Sequence, residues 1–276
     1  MSKDARFTHA LVAHRWAAMN SQDFAQLNPA RAVAVLPLGA TEQHGPHLPL
    51  NVDTVLVDGV VDAALTHLDK QDPVLVLPTQ TLGLSSEHIA FAGTLTLSPH
   101  TAISQWCDLG ASVARAGVKK LLLFNAHGGN VGLMDVVARE LRARHGLIVY
   151  SSSWYNLPLG EKVMTQFSAD EHRFGIHAGD IETSMMLALA PESVDMAKAQ
   201  NFASSSQQRA ATYPILGNGR SAKLGWHMQD YNPQGAVGNA TAATSAKGAA
   251  VLQSAGEQLA KLLQELMDLP LSTVRT

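Results

Sequence analysis

Residues 32–39 have the sequence AVAVLPLG, an apolar run that ends in a turn residue. Because every position before the glycine is apolar, a strand here would be buried on both faces, as in a parallel sheet. Three later runs have the same character, at residues 74–77, 121–124 and 147–150. The sequence therefore predicts four buried strands.

Patterns with helical spacing separate these runs, at residues 54–68, 101–116 and 132–144. This alternation predicts an α/β fold, mainly a parallel β-sheet with helices on both faces. Two more helices are expected, at 179–189 and 246–267, whereas the polar, Gly-rich segment 201–239 predicts an extended loop region. No linker composition is evident, so we expect a single domain over residues 1–276, with its core motifs within about 30–260.

The composition limits the classes of partner. Charged residues make up 16% of the chain, against about 25% in ordinary globular proteins, which favours a surface shared with other subunits. The net charge of -3 opposes nucleic-acid binding through a basic face. The apolar runs are too short for a membrane span, and the first twenty residues lack the apolar centre of a signal peptide.

The single cysteine, Cys107, excludes an internal disulfide and a zinc site built of several thiolates. Together with the other features it predicts a reducing, cytoplasmic compartment.

Residues 39–53, GATEQHGPHLPLNVD, concentrate ionisable groups after the first predicted strand. Glu42 and His44 are two apart, so both project to one side of an extended chain. Asp53 follows a loop stiffened by two prolines. An imidazole between two carboxylates suits Zn²⁺, Mn²⁺ or Fe²⁺, and the two oxygens of Asp53 could bridge two metals. The alternative is that the acids only cap helices and His44 only makes hydrogen bonds in the core.

Residues 125–130, NAHGGN, directly follow the third predicted strand. The paired glycines, beginning at Gly128, let the backbone approach a ligand closely, and His127 is placed as a metal ligand. A plain glycine-rich turn with an incidental histidine is the alternative.

Residues 176–184, IHAGDIETS, place Glu182 in the first turn of a helix that begins near Gly179. Glu182 is either a third carboxylate ligand or an acid that favours the helix dipole. His177 precedes the helix, where its ring is free to carry protons.

Two further places predict contact with a substrate. Ser85 and Ser86 lie in the segment GLSSEH, residues 83–88, which shows no metal-ligand spacing and could equally be a solvated loop. Trp154 follows the fourth predicted strand and is either a pocket residue or an ordinary packed aromatic.

These segments together supply five nitrogen or oxygen ligands and no sulfur, a set that fits a site for two metals. Such a site activates a water near neutral pH and polarises a carbonyl or amidine carbon. The five candidates are Glu42, His44, Asp53, His127 and Glu182.

The order of these segments resembles the creatininase (creatinine amidohydrolase) family. Residues 37–49 are similar to its opening metal motif, 83–97 to its substrate loop, 125–130 to its His-Gly-Gly-Asn motif and 177–184 to its His-Ala-Gly-x-x-Glu-Thr-Ser motif. Residues 235–248 are similar to its C-terminal signature. The resemblance spans about residues 30–260.

The resemblance implies a single α/β domain, two divalent metals per chain, a small-molecule substrate and a homo-oligomer, usually a hexamer built as a trimer of dimers. Zn²⁺ is the first expectation for the metals, with Mn²⁺ or Fe²⁺ as alternatives. Glu42, His44, Asp53 and His127 match ligand positions. Creatininase proper has a glutamate ligand where this chain has Gly129. Either Glu182 replaces that glutamate or the second metal is held more weakly, and the change argues against creatinine as the substrate.

The expected activity is that of a metal-dependent amidohydrolase that cleaves a C–N bond of a small cyclic amide or formamide, with His177 carrying a proton to the leaving nitrogen. The alternatives are hydrolysis of a keto-inositol or sugar ring, and trimming of a small modified peptide. A metal-stabilised assembly protein that only binds a ligand is the non-enzymatic alternative.

Overall fold

The computed structural model describes residues 14–275, around a four-stranded parallel sheet. Residues 1–13, which hold much of the segment judged for a signal peptide, lie outside the described residues, as does residue 276. The spatial order of the strands is β2-β1-β3-β4, and the four predicted strands are confirmed. Their bounds are β1 Val33–Leu38, β2 Val74–Val76, β3 Lys120–Asn125 and β4 Ile148–Ser153.

Helices cover both faces of the sheet, as predicted, and the five predicted helices are confirmed within a few residues. Two short helices at 161–164 and 169–174 were not expected. The helices of this part are α1 Val52–Leu65, α2 Pro99–Arg115, α3 Val131–His145, α4 Glu161–Met164, α5 Ala169–Phe174 and α6 Asp180–Leu189. The remaining elements are β5 Asn201–Phe202, α7 Ser205–Thr212, α8 Met228–Tyr231, β6 Gly238–Asn239 and α9 Ser245–Asp268.

Strand β1 is apolar at every position because it belongs to two cores. Val33 and Val35 face the core formed with α1, α6 and α9. Ala34 and Leu36 face the other core, formed with α2 and α3. The alternation of a strand thus places successive side chains in opposite layers.

Segment 201–239 differs from the extended loop that its composition predicts. It contains α7 and α8, and its two ends pair as antiparallel strands, with Asn201 opposite Asn239. The Ser204 hydroxyl accepts a hydrogen bond from the Ser206 N–H and caps α7. The polar residues that suggested a loop therefore include a helix-starting signal.

Close packing fixes α9 against the helices before it. An added Cβ on Gly248 would overlap the main chain of α6 at Ser184, and one on Gly256 would lie 2.6 Å from the Ala63 methyl of α1. These glycines allow α9 to approach both helices directly. Within residues 14–275, no helix combines the length and apolar character needed to cross a bilayer.

Lys120, the first residue of β3, anchors the end of α9. Its side chain is fully buried, and its ammonium donates to the main-chain oxygens of Ala30 at 2.6 Å, Leu266 at 2.7 Å and Met267 at 2.8 Å. The last two oxygens belong to the final turn of α9, which has no internal donors for them and carries the negative end of the helix dipole. One buried cation therefore joins the sheet to the last helix.

Replacing Lys120 with Met is expected to lower the free energy of unfolding by about 3 kcal/mol, because buried carbonyls lose a charged donor. Lys119→Met is the matched control, since Lys119 is exposed, and should stay within about 0.5 kcal/mol of the parent. Urea unfolding of the three proteins measures the difference. Equal midpoints for both variants would remove Lys120 from this role.

Candidate metal centre

The candidate site lies where the direction of strand order reverses. Strand β2 lies on one side of β1 and β3 lies on the other, so the connections leave the neighbouring ends of β1 and β3 in opposite directions. Leu38 and Asn125, which end these strands, are paired in register. The segments that follow carry Glu42 and His127, so both come to the same crevice at the carboxyl ends of the strands.

Three groups of ionisable side chains meet there. Glu42, His88 and His177 form one of them, and it shares a residue with each of the other two, the two clusters described next. Glu42, Asp53 and His127 place their ligand atoms within 4.8 Å of one another. His44, His177 and Glu182 form a second cluster of the same size. Both clusters contain carboxylate oxygen and imidazole nitrogen, the ligands that Zn²⁺ and Mn²⁺ accept in proteins.

Asp53 belongs to the first cluster and also approaches His44 of the second. Its Oδ2 is 3.4 Å from His127 Nδ1, and its Oδ1 is 3.5 Å from His44 Nε2. Asp53 belongs to the first turn of α1, whose N-cap is Asn51, so it is not the cap of that helix. One carboxylate oxygen thus faces each cluster, the geometry that a bridging ligand requires.

Hydrogen bonds fix which nitrogen of each histidine faces the carboxylates. His127 Nε2 lies 2.7 Å from the carbonyl oxygen of Leu84, and His44 Nδ1 lies 3.0 Å from that of Glu42. Because a carbonyl only accepts, these nitrogens carry the protons. When these rings are neutral, the opposite nitrogens present lone pairs to the site, as in histidines that bind metals.

Several buried polar atoms of the site have no hydrogen-bond partner among the described residues. They are both carboxylate oxygens of Glu42, Oδ2 of Asp53 and Nε2 of His44. Leaving such atoms unpaired is costly. A divalent cation between them would satisfy them all, so the residues present fit a metal centre.

The protonation of the site follows from its crowding. Burial opposes charge on His44, yet the carboxylates of Asp53, Glu182 and Glu42 raise its pKa to about 9. Burial opposes charge on His127 as well, and Glu42 and Asp53 still hold its pKa well above the usual value. Burial raises the pKa of Glu182 to about 7. In the metal-free chain, protons on these side chains therefore offset the negative charge of the carboxylates, and metal binding would release those protons.

His177 has a different environment. Its Nε2 donates to the main-chain oxygen of Gln43 at 2.7 Å, which leaves Nδ1 facing Glu42 Oε1 at 3.9 Å. Burial and the neighbouring imidazoles of His44 and His88 hold the pKa of His177 well below the usual value. His177 is therefore neutral, with a free lone pair at the site.

Glu182 reaches the site from the first turn of α6, as the sequence predicts. The Ala178 N–H donates to its Oε2 at 2.6 Å, and Ala178 itself has a positive φ of 56°. A left-handed alanine is strained and persists where the surroundings require it. This turn aims both His177 and Glu182 at the same point.

The structure adds two residues that the sequence analysis did not assign, Gln43 and His88. The Gly45 N–H donates to Gln43 Oε1 at 3.0 Å, so the Gln43 amide directs its Nε2 to His88 Nδ1 at 2.7 Å. His88 therefore carries its proton on Nε2, which lies 3.3 Å from Glu42 Oε1. The only sequence signal was the position of His88 beside the two serines.

The site opens into a cavity of about 470 Å³. Trp154 and Gly128 line it, and so do Glu87 and His88. Ser85 and Ser86 do not: Ser85 is buried, with its N–H bonded to Thr96 Oγ1 and its hydroxyl 3.4 Å from His127 Nε2, and Ser86 is exposed. The segment 83–88 thus lines the cavity through the two residues that follow its serines.

Gly129 has no room for a side chain. An added Cβ would overlap the Leu84 carbonyl oxygen and the Glu87 carboxylate. No carboxylate can extend from position 129 in this backbone arrangement, whereas Glu182 already stands in the second cluster.

Asn130 holds the segments of the site together. Its Nδ2 donates to Gly39 O and to Asn125 Oδ1, both at 3.1 Å. Its Oδ1 accepts the Leu84 N–H, also at 3.1 Å. One buried amide therefore joins the ends of β1 and β3 to the loop that carries His88.

Comparisons with known proteins agree with this geometry. The Creatininase family model, described as creatinine amidohydrolase, matches residues 17–263. The mycofactocin precursor peptide peptidase of Mycobacterium tuberculosis (strain CDC 1551 / Oshkosh) is 30% identical over 83% of this chain and 84% of its own. The creatinine amidohydrolase of Pseudomonas putida is 32% identical over 59% and 66%. The 3-dehydro-scyllo-inosose hydrolase of Thermotoga maritima is 25% identical over 85% and 77%.

Solved structures show the same fold. A crystal structure of creatinine amidohydrolase (creatininase) aligns with a TM-score of 0.72 and 26% identity, over 92% of this chain and 98% of that one. Similar structures include Zn-Zn and Mn forms of creatininase. Together with the two ligand clusters, these forms support divalent metals as the cofactor.

Truncating Asn130 to Ala is expected to cost about 2–3 kcal/mol of stability, because a buried donor and two buried acceptors lose their partner. Metal affinity should fall too, since the loops that carry the clusters lose their common tie. Asn156→Ala, at an exposed position, is the control. Urea unfolding and metal titration check both effects. Unchanged metal affinity in a destabilised Asn130→Ala protein would limit Asn130 to folding.

Proposed function

The chain belongs to the creatininase family, and we propose that this hydrolase is a metal-dependent amidohydrolase acting on a C–N bond of a small cyclic amide or formamide. The position of Asp53 carries the proposal, since one carboxylate oxygen faces each of two buried ligand clusters. We also propose that residues 1–276 form one domain, because motifs from β1 to α6 converge on this one site.

Two divalent metals would be held by residues of both clusters, with Asp53 shared between the metals and His177 left out of the ligand set. Glu42, Asp53 and His127 would bind the first, and His44, Asp53 and Glu182 the second. Mixed imidazole and carboxylate ligands favour Zn²⁺, with Mn²⁺ or Fe²⁺ as alternatives. When bound, such metals make water acidic near neutral pH and polarise a carbonyl group.

His177 is the proton carrier in this proposal. Its neutral Nδ1 can accept the proton that the attacking water loses, and can then donate it to the leaving nitrogen. The hydrogen bond from Nε2 to Gln43 O holds the ring in one orientation through both transfers. A proton carrier works best with a pKa near the operating pH, and burial together with the His44 and His88 imidazoles holds the pKa of His177 in the metal-free chain below that value.

The cavity walls complete the substrate site. Trp154, Leu159 and Phe167 are apolar and exclude water from one side. An added Cβ on Gly128 would meet no atom within 4 Å, so the glycine leaves space where a substrate would lie. His88 lines the same space, with its Nε2 3.3 Å from Glu42 Oε1.

A short peptide is the second candidate substrate. A mycofactocin precursor peptide peptidase is 30% identical to this chain, and the metal-centre cavity adjoins a second one. The deciding experiment loads the protein with Zn²⁺, Mn²⁺ or Fe²⁺ and screens cyclic amides, formamides, short peptides and keto-inositols. Turnover of keto-inositols alone would contradict C–N cleavage. Metal binding without any turnover would favour a ligand-binding assembly protein.

We propose a homohexamer, built as a trimer of dimers, in the cytoplasm. The support is a pair of apolar side chains outside both cavities, Tyr213 and Ile215, each of which is more than half exposed. Burial against a neighbouring subunit would remove this surface from water. Sedimentation at micromolar concentration should give six chains per particle, and a monomer would refute the proposal.

The half-buried Cys107, the one thiol of the chain, supports the proposed cytoplasmic compartment.

Asp53→Ala is expected to lose both metals, because a bridging carboxylate serves each, whereas Glu182→Gln should lose one selectively. Elemental analysis of metal per chain measures this, with Asp135→Ala, a surface change, as the control. Saturating Zn²⁺ at about 100 times Kd should stabilise the parent by about 2.7 kcal/mol and leave Asp53→Ala unaffected. Full metal content in Asp53→Ala would sink the bridging assignment.

His177→Ala should keep both metals and lose about 10²–10⁴-fold in kcat, with less change in KM, because it removes a positioned acid and base. The exposed His67 provides the control, His67→Ala. Steady-state kinetics and metal analysis on the same preparations separate the roles. Loss of a metal would make His177 a ligand, and unchanged turnover would make it a packing residue.

A further inference from the structure

A second cavity, of about 1030 Å³, adjoins the metal-centre cavity. His172, Ile176 and Trp226 line both. The Trp226 ring stands edge-on to His88, with centroids 6.4 Å apart, and edge-on to Tyr231, at 4.9 Å. Trp226 therefore forms the wall between the two cavities, and a ligand that passes it reaches both.

The second cavity is lined by cations and by no acid. Arg173, Arg209, Arg220 and Lys223 all line it, whereas no Asp or Glu does. The whole chain carries a net charge of -3, so this accumulation is not a reflection of composition. Within residues 14–275, none of the four forms an ion pair with an acidic side chain. Their charges are therefore available to a ligand.

Arg209 has the most specific geometry of the four. Its guanidinium lies over the Tyr231 ring, with Cζ 5.2 Å from the centroid, which is a cation–π contact. Its Nη2 is buried and has no hydrogen-bond partner among the described residues. A buried, charged N–H group without a partner is costly. An oxyanion would satisfy it with a charge-assisted hydrogen bond.

Hydrogen bonds from a side chain fix the turn that carries Arg220. Asn218 Oδ1 accepts the N–H groups of Arg220 at 2.8 Å and Ser221 at 2.9 Å. Gly217 packs so closely on α7 that an added Cβ would overlap the main chain of Arg209 and Ala210. Arg209 and Arg220 are therefore held on adjoining walls of one cavity.

We propose that the second cavity binds an anionic group of the substrate, a carboxylate or a phosphate. The substrate would span Trp226, with its oxyanion among the four cations and its scissile amide at the metal centre. The use of the site rests on the proposed amidohydrolase function, but anion binding itself depends only on the second cavity.

The test is isothermal titration of the metal-loaded protein with inorganic phosphate and, separately, with acetate at low ionic strength. Arg209→Met/Arg220→Met should weaken binding by about tenfold or more, because hydrogen bonds to charged groups are lost. Arg139→Met/Arg144→Met removes the same charge from a helix outside both cavities and should leave the affinity unchanged. Preference for phosphate or for acetate identifies which oxyanion the cavity suits.

Asp53→Ala separates this site from the metals. Phosphate should still bind to that variant with the parent's affinity, because the metal centre is not needed. Binding that is lost in Asp53→Ala, or unaffected by Arg209→Met/Arg220→Met, would show that the metals or the general surface attract the anion, and would overturn the proposal. If phosphate binds as expected but no amide is hydrolysed, the proposed function fails while the anion site stands.

Discussion

The carboxylate of Asp53, buried in the first turn of α1, faces His127 with one oxygen and His44 with the other. This contact constrains the molecule because Asp53 and Glu42 are buried with carboxylate oxygens that have no hydrogen-bond partner among the described residues. Their unpaired oxygens require positive charge close by. Protonated histidines supply it in the metal-free chain, and divalent metals would supply it in the working protein. Main-chain carbonyl oxygens then orient the imidazoles, that of Glu42 for His44 and that of Leu84 for His127.

The scaffold holds these charged side chains on rigid elements. Strands β1 and β3 end side by side, and buried Asn130 ties their ends to the loop before His88. At the amino ends of the strands, opposite the site, Lys120 fixes the end of α9, which packs directly on α1 and α6. Asp53 and Glu182, carried by those two helices, are thereby placed with the precision that a metal site needs.

The sequence predicts what local pattern controls. Strand β1 was predictable because every position packs in one of two cores, and the candidate ligands because they follow strand ends. Gln43 and His88 were not, since their pairing depends on Gly45 and on a loop some 45 residues away. Ser85 and Ser86 show the same limit of prediction. The residue types of segment 83–88 predict that it reaches the site, but the path of its backbone decides which of its side chains face the cavity. Helix α7 was not predicted because its sequence is mostly polar and lacks the apolar face by which a helix is recognised.

In the proposed function, the two cavities would serve different parts of the reaction. Groups around Asp53 are nearly enclosed and are held by main-chain hydrogen bonds, so they suit chemistry that is common to many substrates. The cations around Arg209 lie on a polar segment with few core contacts, where substitutions disturb little of the fold. Trp226 lines both cavities. Its ring and the His88 ring are arranged edge-on, and its other neighbour, Tyr231, lies under the Arg209 guanidinium. An anion that orders Arg209 would therefore act on the wall of the metal cavity through two aromatic rings, which couples recognition of a distant charge to the position of the reacting group.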